Sequence, residues 1–293
     1  MKFQAEAEQE KKTHILGSIF SFIIVIALLL FGYAKFIGIK GLIVKEYSVE
    51  STILTENFNG IKIVHFSDLL YGTTVNFDDV KKMVEKVNTL KPDIIVFTGD
   101  LVKSGYNLPT EKRAQLTDFL NQMEAPIGKY AIKGNADYSN EKYDEIMYDS
   151  GFKVINNSYE KVYYNTLAPL YIVGLPSKQK DTVDLDKAFE FYNELDRIYT
   201  IVLVHEGNTI TYLDESDYEV DLILGGHSFG GSVVVPYYGP LFIDKESSKY
   251  YADAYTKGIT NIYISSGLGT NEYPYRIFNK PSINLYRLKT QAQ

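Results

Sequence analysis

The chain has 293 residues, 45% hydrophobic and 23% charged, enough to bury a large core in one α/β domain or in two smaller ones. A formal net charge of -7 and a pI near 5.3 argue against a nucleic-acid-binding surface, which is usually basic. With no cysteine there is neither a disulfide nor a thiolate metal site, and the redox compartment stays open.

A charged tail occupies residues 1–14, and an apolar run follows from about Ile15 to Ala34. Roughly 20 such residues cross a bilayer as a helix, so residues 15–37 are expected to form a transmembrane anchor. The run is longer than a signal-peptide core, and Gly32-Tyr33-Ala34-Lys35 makes a poor cleavage site. No polar face interrupts it, as a helix packed on a soluble core would require. Lys2, Lys11 and Lys12 precede the span and Lys35, Lys40 and Lys45 follow it, so the positive-inside rule gives a tie.

From Tyr47 onward, over residues 47–290, the chain reads as one domain without a linker or an internal repeat. Ile61 to Phe66 is a predicted strand, Phe77 to Leu90 a helix with apolar residues at helical spacing, and Asp93 to Phe97 a second strand. That βαβ spacing implies parallel strands whose carboxyl ends carry Asp68 and Asp100, the place where open α/β sheets bind ligands. A helix over Thr110–Met123, a strand over Gly128–Lys133 and a helix over Asn140–Ser150 continue the alternation. Val154-Ile155, Val162–Tyr164 and Leu170–Val173 read as a strand meander, Leu185–Leu195 as a helix and Tyr199–Val204 as a strand. Asp221–Leu224 is a short buried strand leading into the turn Gly226-His227-Ser228-Phe229-Gly230-Gly231, and Ile262–Ser265 and Asn284–Leu288 are the last strands.

Several of these strands end in groups able to bind a cation: Asp68, Asp100, Asn135, His205 and His227. Taken singly, each has an ordinary explanation. Asp caps turns and helices, Asn adopts left-handed turns, and a His at a strand end is more often a satisfied polar group. Together, imidazole, carboxylate and amide oxygen suit manganese, iron or zinc better than calcium.

The ordered set Ser67-Asp68, Gly99-Asp100-Leu101, Gly134-Asn135-x-Asp137, His205 and Gly226-His227-x-x-Gly230-Gly231 resembles the calcineurin-like metallophosphoesterases, in their membrane-anchored bacterial branch. The resemblance extends to the tail Ser266–Thr270 with Pro274, Arg276 and Pro281. It implies an α/β fold, a four-layered α/β/β/α sandwich preceded by one transmembrane helix. It also implies a two-metal centre that hydrolyses a phosphate ester or anhydride. The expected placement is a single-pass cell-membrane protein with its domain outside the cytoplasm.

The resemblance implies departures too. The family pattern has His at the positions of Leu70, Ala136 and Phe229: the first and last as ligands of one metal, the middle one as the catalytic acid. The other site keeps Asp100, Asn135, His205 and His227, while Asp68 remains from the first. One divalent transition metal, or none, and binding of a phosphate-containing ligand or a partner are therefore expected, with catalytic power impaired or absent. The alternative is an active phosphoesterase that works on a lipid-linked or envelope phosphate through a one-metal or rebuilt centre.

Overall fold

The computed structural model describes residues 2–192, 197–271 and 273–291. Helix α1 spans Lys2–Gly32 and runs into a wider π-helical turn at Tyr33–Ile37. Within it, Lys11–Ile37 is long and apolar enough to cross a membrane, and its most apolar stretch is fully exposed rather than packed on the domain. A soluble core helix would bury that surface.

The domain then takes the chain through β1 (Ile43–Ser51), β2 (Lys62–Phe66), α2 (Phe77–Leu90), β3 (Ile94–Phe97), α3 (Thr110–Asn121), β4 (Gly128–Ala131), α4 (Tyr143–Asp149) and β5 (Lys153–Val154). There follow β6 (Ser158–Val162), β7 (Leu170–Gly174), α5 (Leu185–Ala188), β8 (Thr200–Leu203), α6 (Ile210–Asp214) and β9 (Leu222–Gly225). The hairpin β10 (Val234–Val235) and β11 (Gly239–Pro240), then β12 (Ala254–Lys257), β13 (Thr260–Ile264) and β14 (Ser282–Thr290), complete it.

Helix α2 shows how local sequence sets these elements. Asn76 and Asp79 form a reciprocal capping box, each side chain accepting from the other's backbone N–H at 3.1 Å. Val80, Met83, Val84 and Val87 bury one stripe, and Lys91 ends the helix in the left-handed region.

Two six-stranded sheets result, in the orders β1-β14-β2-β3-β4-β5 and β12-β13-β9-β8-β7-β6. Strand alternation sends side chains to both faces of each sheet. Ile63, Ile94 and Val96 of one sheet meet Ile172, Ile201 and Leu224 of the other in a central core. Val64, Phe66, Ile95 and Phe97 point outward under α2, α3 and α4, while Val173, Val202 and Ile223 lie under the opposite outer layer with Phe189 and Ile210. The layers are thus helix, sheet, sheet, helix, as the resemblance implied.

β2, β3 and β4 are mutually parallel, as are β7, β8 and β9. β1 is parallel to β14, and β14 is antiparallel to β2. The chain's entry from α1 at Ile43 therefore lies at the same end of the sandwich as the carboxyl ends of β2 to β4.

Two local readings are corrected. The meander does not form: β5 adds to β4 in the first sheet, while β6 and β7 pair in the second. Alternation marks a strand but says nothing about which sheet receives it. The helix expected over Leu185–Leu195 stops after Ala188, because Phe189 and Phe191 stack on Tyr218 and Tyr171 and draw the chain off the helical path; its end, residues 193–196, lies outside the described residues. Strand pairing starts at Ile43, ahead of Tyr47.

His65 lies buried on the central face of β2, 2.9 Å from Thr98 Oγ1 and 3.3 Å from Tyr286 Oη. Burial pushes its pKa down to about 3, against an unfolded value of about 6.5. The unfolded chain therefore takes up this proton first as pH falls. The contribution of neutral His65 is complete above about pH 6.5 and is lost on descending toward pH 3. Urea unfolding of the full chain in detergent is expected to show that His65→Gln loses less stability than the wild type between pH 7 and pH 5, by roughly 2 kcal/mol. Equal losses would mean that His65 is protonated in the folded state.

Candidate metal centre

Five strand-end turns converge where the two sheets meet. Asp68 follows β2, Asp100 follows β3, Asn135 follows β4, His205 follows β8 and His227 follows β9. One donor atom each from Asp68, Asp100, His205 and His227 lies within 4.8 Å of every other, and all but His227 are buried. Asn135 Oδ1 stands 3.1 Å from His205 Nε2, so the amide joins the same cluster. Asp68, expected to belong to a separate metal position, also sits in this one group.

His205 is the pivot. Its Nδ1–H donates to Thr98 O at 2.6 Å, which turns Nε2 toward the cluster. Around Nε2 stand Asn135 Oδ1, His227 Nδ1 at 3.2 Å and Asp100 Oδ2 at 3.4 Å. Lone pairs crowd together there, and only a proton or a cation can reconcile them. Burial disfavours a charged imidazole, but the Asp100 and Asp68 carboxylates outweigh it and hold the His205 pKa well above its usual value. Burial raises the pKa of Asp68, with the Asp100 charge adding to it, and Asp68 Oδ1 is buried without a hydrogen-bond partner. For Asp100, burial works upward, but His205 and the Ala136 N–H, which donates to Oδ1 at 2.7 Å, bring the pKa below the ordinary value. An orphaned buried carboxylate oxygen beside facing imidazoles fits one cation with mixed nitrogen and oxygen ligands.

The turns are built to bring backbone close to these groups. A Cβ on Gly134 would lie 2.3 Å from Asp100 Oδ1, and one on Gly226 would lie 2.0 Å from Ser67 Oγ. Five non-glycine residues hold left-handed φ here: Asp68 (50°), Leu70 (44°), Asp100 (64°), His227 (65°) and Phe229 (53°). Such backbone costs on the order of 1 kcal/mol per residue and persists where neighbours fix it. Asp68 N donates to Gly99 O and Leu70 N to Asp100 O, each at 2.9 Å, and His227 N donates to Asp68 Oδ2 at 2.9 Å.

Leu70, Ala136 and Phe229 form a buried apolar cluster of their own. Three residues far apart in sequence thus meet at one edge of the site, and none of the three side chains offers a lone pair. The Arg276 guanidinium lies 5.7 Å above the Phe229 ring and is itself buried, holding the carbonyls of Ser266, Gly267, Gly269 and Asn279.

Other contributors carry little signal in the sequence. Asp137 was visible in the motif, but its task was not: its carboxylate accepts from the N–H groups of Asp100, Leu101 and Gly134 at 2.7, 2.8 and 2.9 Å, clamping two donor turns together. Burial, with Asp100 beside it, pushes its pKa up to about 8. Asp244 Oδ1 lies 3.0 Å from His227 Nε2, and Gln179 Nε2 lies 3.4 Å from the same atom. Both come from loops with no motif. Glu206 directly follows His205 and was legible only as a charge after a strand. It is buried, accepting from Ser177 Oγ, from Lys178 N at 3.2 Å and from Gln179 Nε2 at 3.2 Å, and so fixes the loop that brings Gln179 to His227.

A cleft of about 530 Å³ is lined by His227, Phe229, Val233, Phe242, Tyr273 and Tyr275 among others. Its walls are mainly apolar, and of the donor cluster His227 lines it.

Residues 61–230 match the family model described as calcineurin-like phosphoesterase. The chain is 32% identical over 264 residues to the uncharacterized metallophosphoesterase YkuE of Bacillus subtilis, covering 89% of this chain and 90% of that protein. It is 26% identical over 287 residues to the UDP-2,3-diacylglucosamine pyrophosphatase LpxG of Chlamydia muridarum, covering 79% and 84%. It is also 26% identical over 250 residues to a transmembrane protein with metallophosphoesterase domain of Danio rerio, covering 80% of this chain and 55% of that one. Together with α1, these relatives point to a membrane protein.

A cation bound by the native state alone stabilises it by about 2.7 kcal/mol at a hundredfold excess over Kd. Manganese is therefore expected to raise the melting temperature of the wild-type chain. Gly134→Ala, which drives a methyl into Asp100 and His205, is expected to abolish that rise. An undiminished rise in the variant would place the cation elsewhere.

Proposed function

The chain belongs to the calcineurin-like phosphoesterase family, and we propose that it is a membrane-anchored member that binds one divalent transition metal and a phosphate-bearing ligand, with hydrolysis impaired or absent. The observation that carries this reading is the apolar cluster of Leu70, Ala136 and Phe229 packed beside the donor cluster of Asp68, Asp100, His205 and His227.

Asp100, Asn135, His205 and His227 would hold the ion, with Asp68 at its edge; manganese, iron or zinc suits that donor set. When bound, such an ion polarises a phosphoryl oxygen and binds the phosphate. The residues present do not fit a second ion, because the side chains of Leu70 and Phe229 cannot donate an electron pair. Asp137 and the Thr98 carbonyl keep the donor turns and the His205 ring oriented. Ala136 has no proton to give a leaving oxygen, and loss of a general acid costs a factor of about 10² to 10⁴ in rate.

The cleft supports a ligand carried on lipid. It is mainly apolar and is lined by both His227 and Tyr275, whose ring lies 5.3 Å from that of Phe31 in α1. The name of one relative, UDP-2,3-diacylglucosamine pyrophosphatase, describes a diacylated pyrophosphate.

One observation favours the second reading, hydrolysis through a rebuilt centre. His227 Nε2 faces the Asp244 carboxylate at 3.0 Å on the cleft wall, a pairing able to support an imidazole that gives up a proton.

Metal analysis and turnover of a generic phosphodiester by the full chain in detergent separate the two. The expected result is about one equivalent of metal per chain, lost in His227→Ala, and no turnover above metal alone. Leu70→His, Ala136→His and Phe229→His combined are then expected to create hydrolysis. Wild-type turnover abolished by His227→Ala would establish the second reading, and absence of both metal and rescue would refute the retained site.

A further inference from the structure

We propose that the β10–β11 hairpin and the Tyr273–Phe278 loop form a second membrane contact, seated in the interfacial layer of the bilayer that α1 enters. This rests on α1 being a membrane anchor.

Residues 233–243 carry no charged side chain, in a chain that is 23% charged. Val235, Tyr237, Tyr238, Leu241 and Phe242 are nevertheless exposed, with Tyr237 fully so. Contiguous exposed apolar surface on this scale marks an interaction site rather than ordinary solvated surface. Tyrosine with neighbouring aliphatic and phenyl groups is the composition found at the boundary between headgroups and acyl chains.

Position decides in favour of the bilayer. Val234 N donates to Ile277 O and Ile277 N to Ser232 O, each at 3.0 Å, tying the hairpin to the Tyr273–Phe278 loop. That loop is tied in turn to the end of the anchor. Arg276 N donates to Ala34 O at 3.1 Å, the rings of Tyr275 and Phe31 lie 5.3 Å apart, and those of Phe278 and Tyr33 lie 6.2 Å apart. The exposed side chains of Phe36, Ile37, Tyr273 and Phe278 extend the same apolar collar. The hairpin is thus held at the point where α1 meets the domain.

A protein partner is the poorer occupant. Strand addition needs a length of free edge, whereas each hairpin strand has two residues, with Pro236 and Pro240 removing donors. Residues 233–243 of the hairpin also offer a protein no charge to pair with. Seated in lipid, it opens the cleft toward the bilayer, since Phe242 and Tyr273 belong to both surfaces.

The chain has no tryptophan, so Tyr237→Trp carries the only indole. Leu167→Trp serves as the control. Its loop is held at the opposite end of the sandwich, where Asn165 O accepts from Asn57 Nδ2 at 2.9 Å, beyond the far end of β1. Each full-length variant is reconstituted into phosphatidylcholine vesicles with and without bromine on the upper acyl chain. For Tyr237→Trp, and for Tyr238→Trp as a second position, the expected result is blue-shifted emission quenched roughly twofold or more by brominated lipid, with Leu167→Trp unaffected. Vesicle flotation with water-like, unquenched emission at both positions overturns the proposal and leaves the anchor standing. Failure to float overturns the anchor and the proposal with it. A blue shift that depends on protein concentration and ignores bromine overturns it in favour of a second copy of the chain.

Discussion

Buried carboxylates crowded against other lone pairs are the constraint around which the strand-end junction is built. Asp68, Asp100 and Asp137 are buried together, and Asn135 Oδ1 and the His227 ring add further lone pairs. Within the described residues the balancing group at the centre is His205, whose pKa the Asp100 and Asp68 carboxylates hold well above its usual value. A proton on His205 and a cation between the donors are alternative solutions to one electrostatic problem. The surrounding bonds enforce that problem: Asp137 spends its acceptors on backbone N–H groups, and the Thr98 carbonyl leaves His205 Nε2 nowhere else to face.

The apolar cluster sets the limit on this arrangement. Leu70 and Phe229 occupy left-handed backbone that their side chains do not favour, within turns pinned by Asp100 O, Asp68 Oδ2 and Asn279. These turns thus hold strained backbone while carrying an apolar lining. Buried carbon beside the donor cluster excludes water on that side. It strengthens the field at Asp100 and His205.

The chain path places the donor turns at the end of the domain that α1 enters. Because β1 runs opposite to β2, the end of the domain entered from α1 is also the end that carries the donor turns. The Tyr273–Phe278 loop bridges the two, gripping Ala34 on one side and, through Arg276, covering Phe229 on the other. A cleft between them with apolar walls is suited to an amphiphile whose polar end reaches His227.

By itself the sequence determined most of the element types, the parallel βαβ core and the long apolar N-terminal helix, and it pointed to the five polar residues that meet at the strand ends. Each of these is written locally, in hydrophobic period, turn chemistry or motif. It could not determine which sheet received β5 or β6, nor where the helix begun at Leu185 would stop, because those depend on which distant rings and edges are available. Nor could it show that Asp137 clamps two turns, that Asp244 and Gln179 reach His227, or that Asp68 shares one cluster with the rest. The apolar residues Leu70, Ala136 and Phe229 were legible one at a time. Only tertiary structure decided that they pack against one another, because contacts among residues 70, 136 and 229 are set by sheet order, which no local pattern encodes.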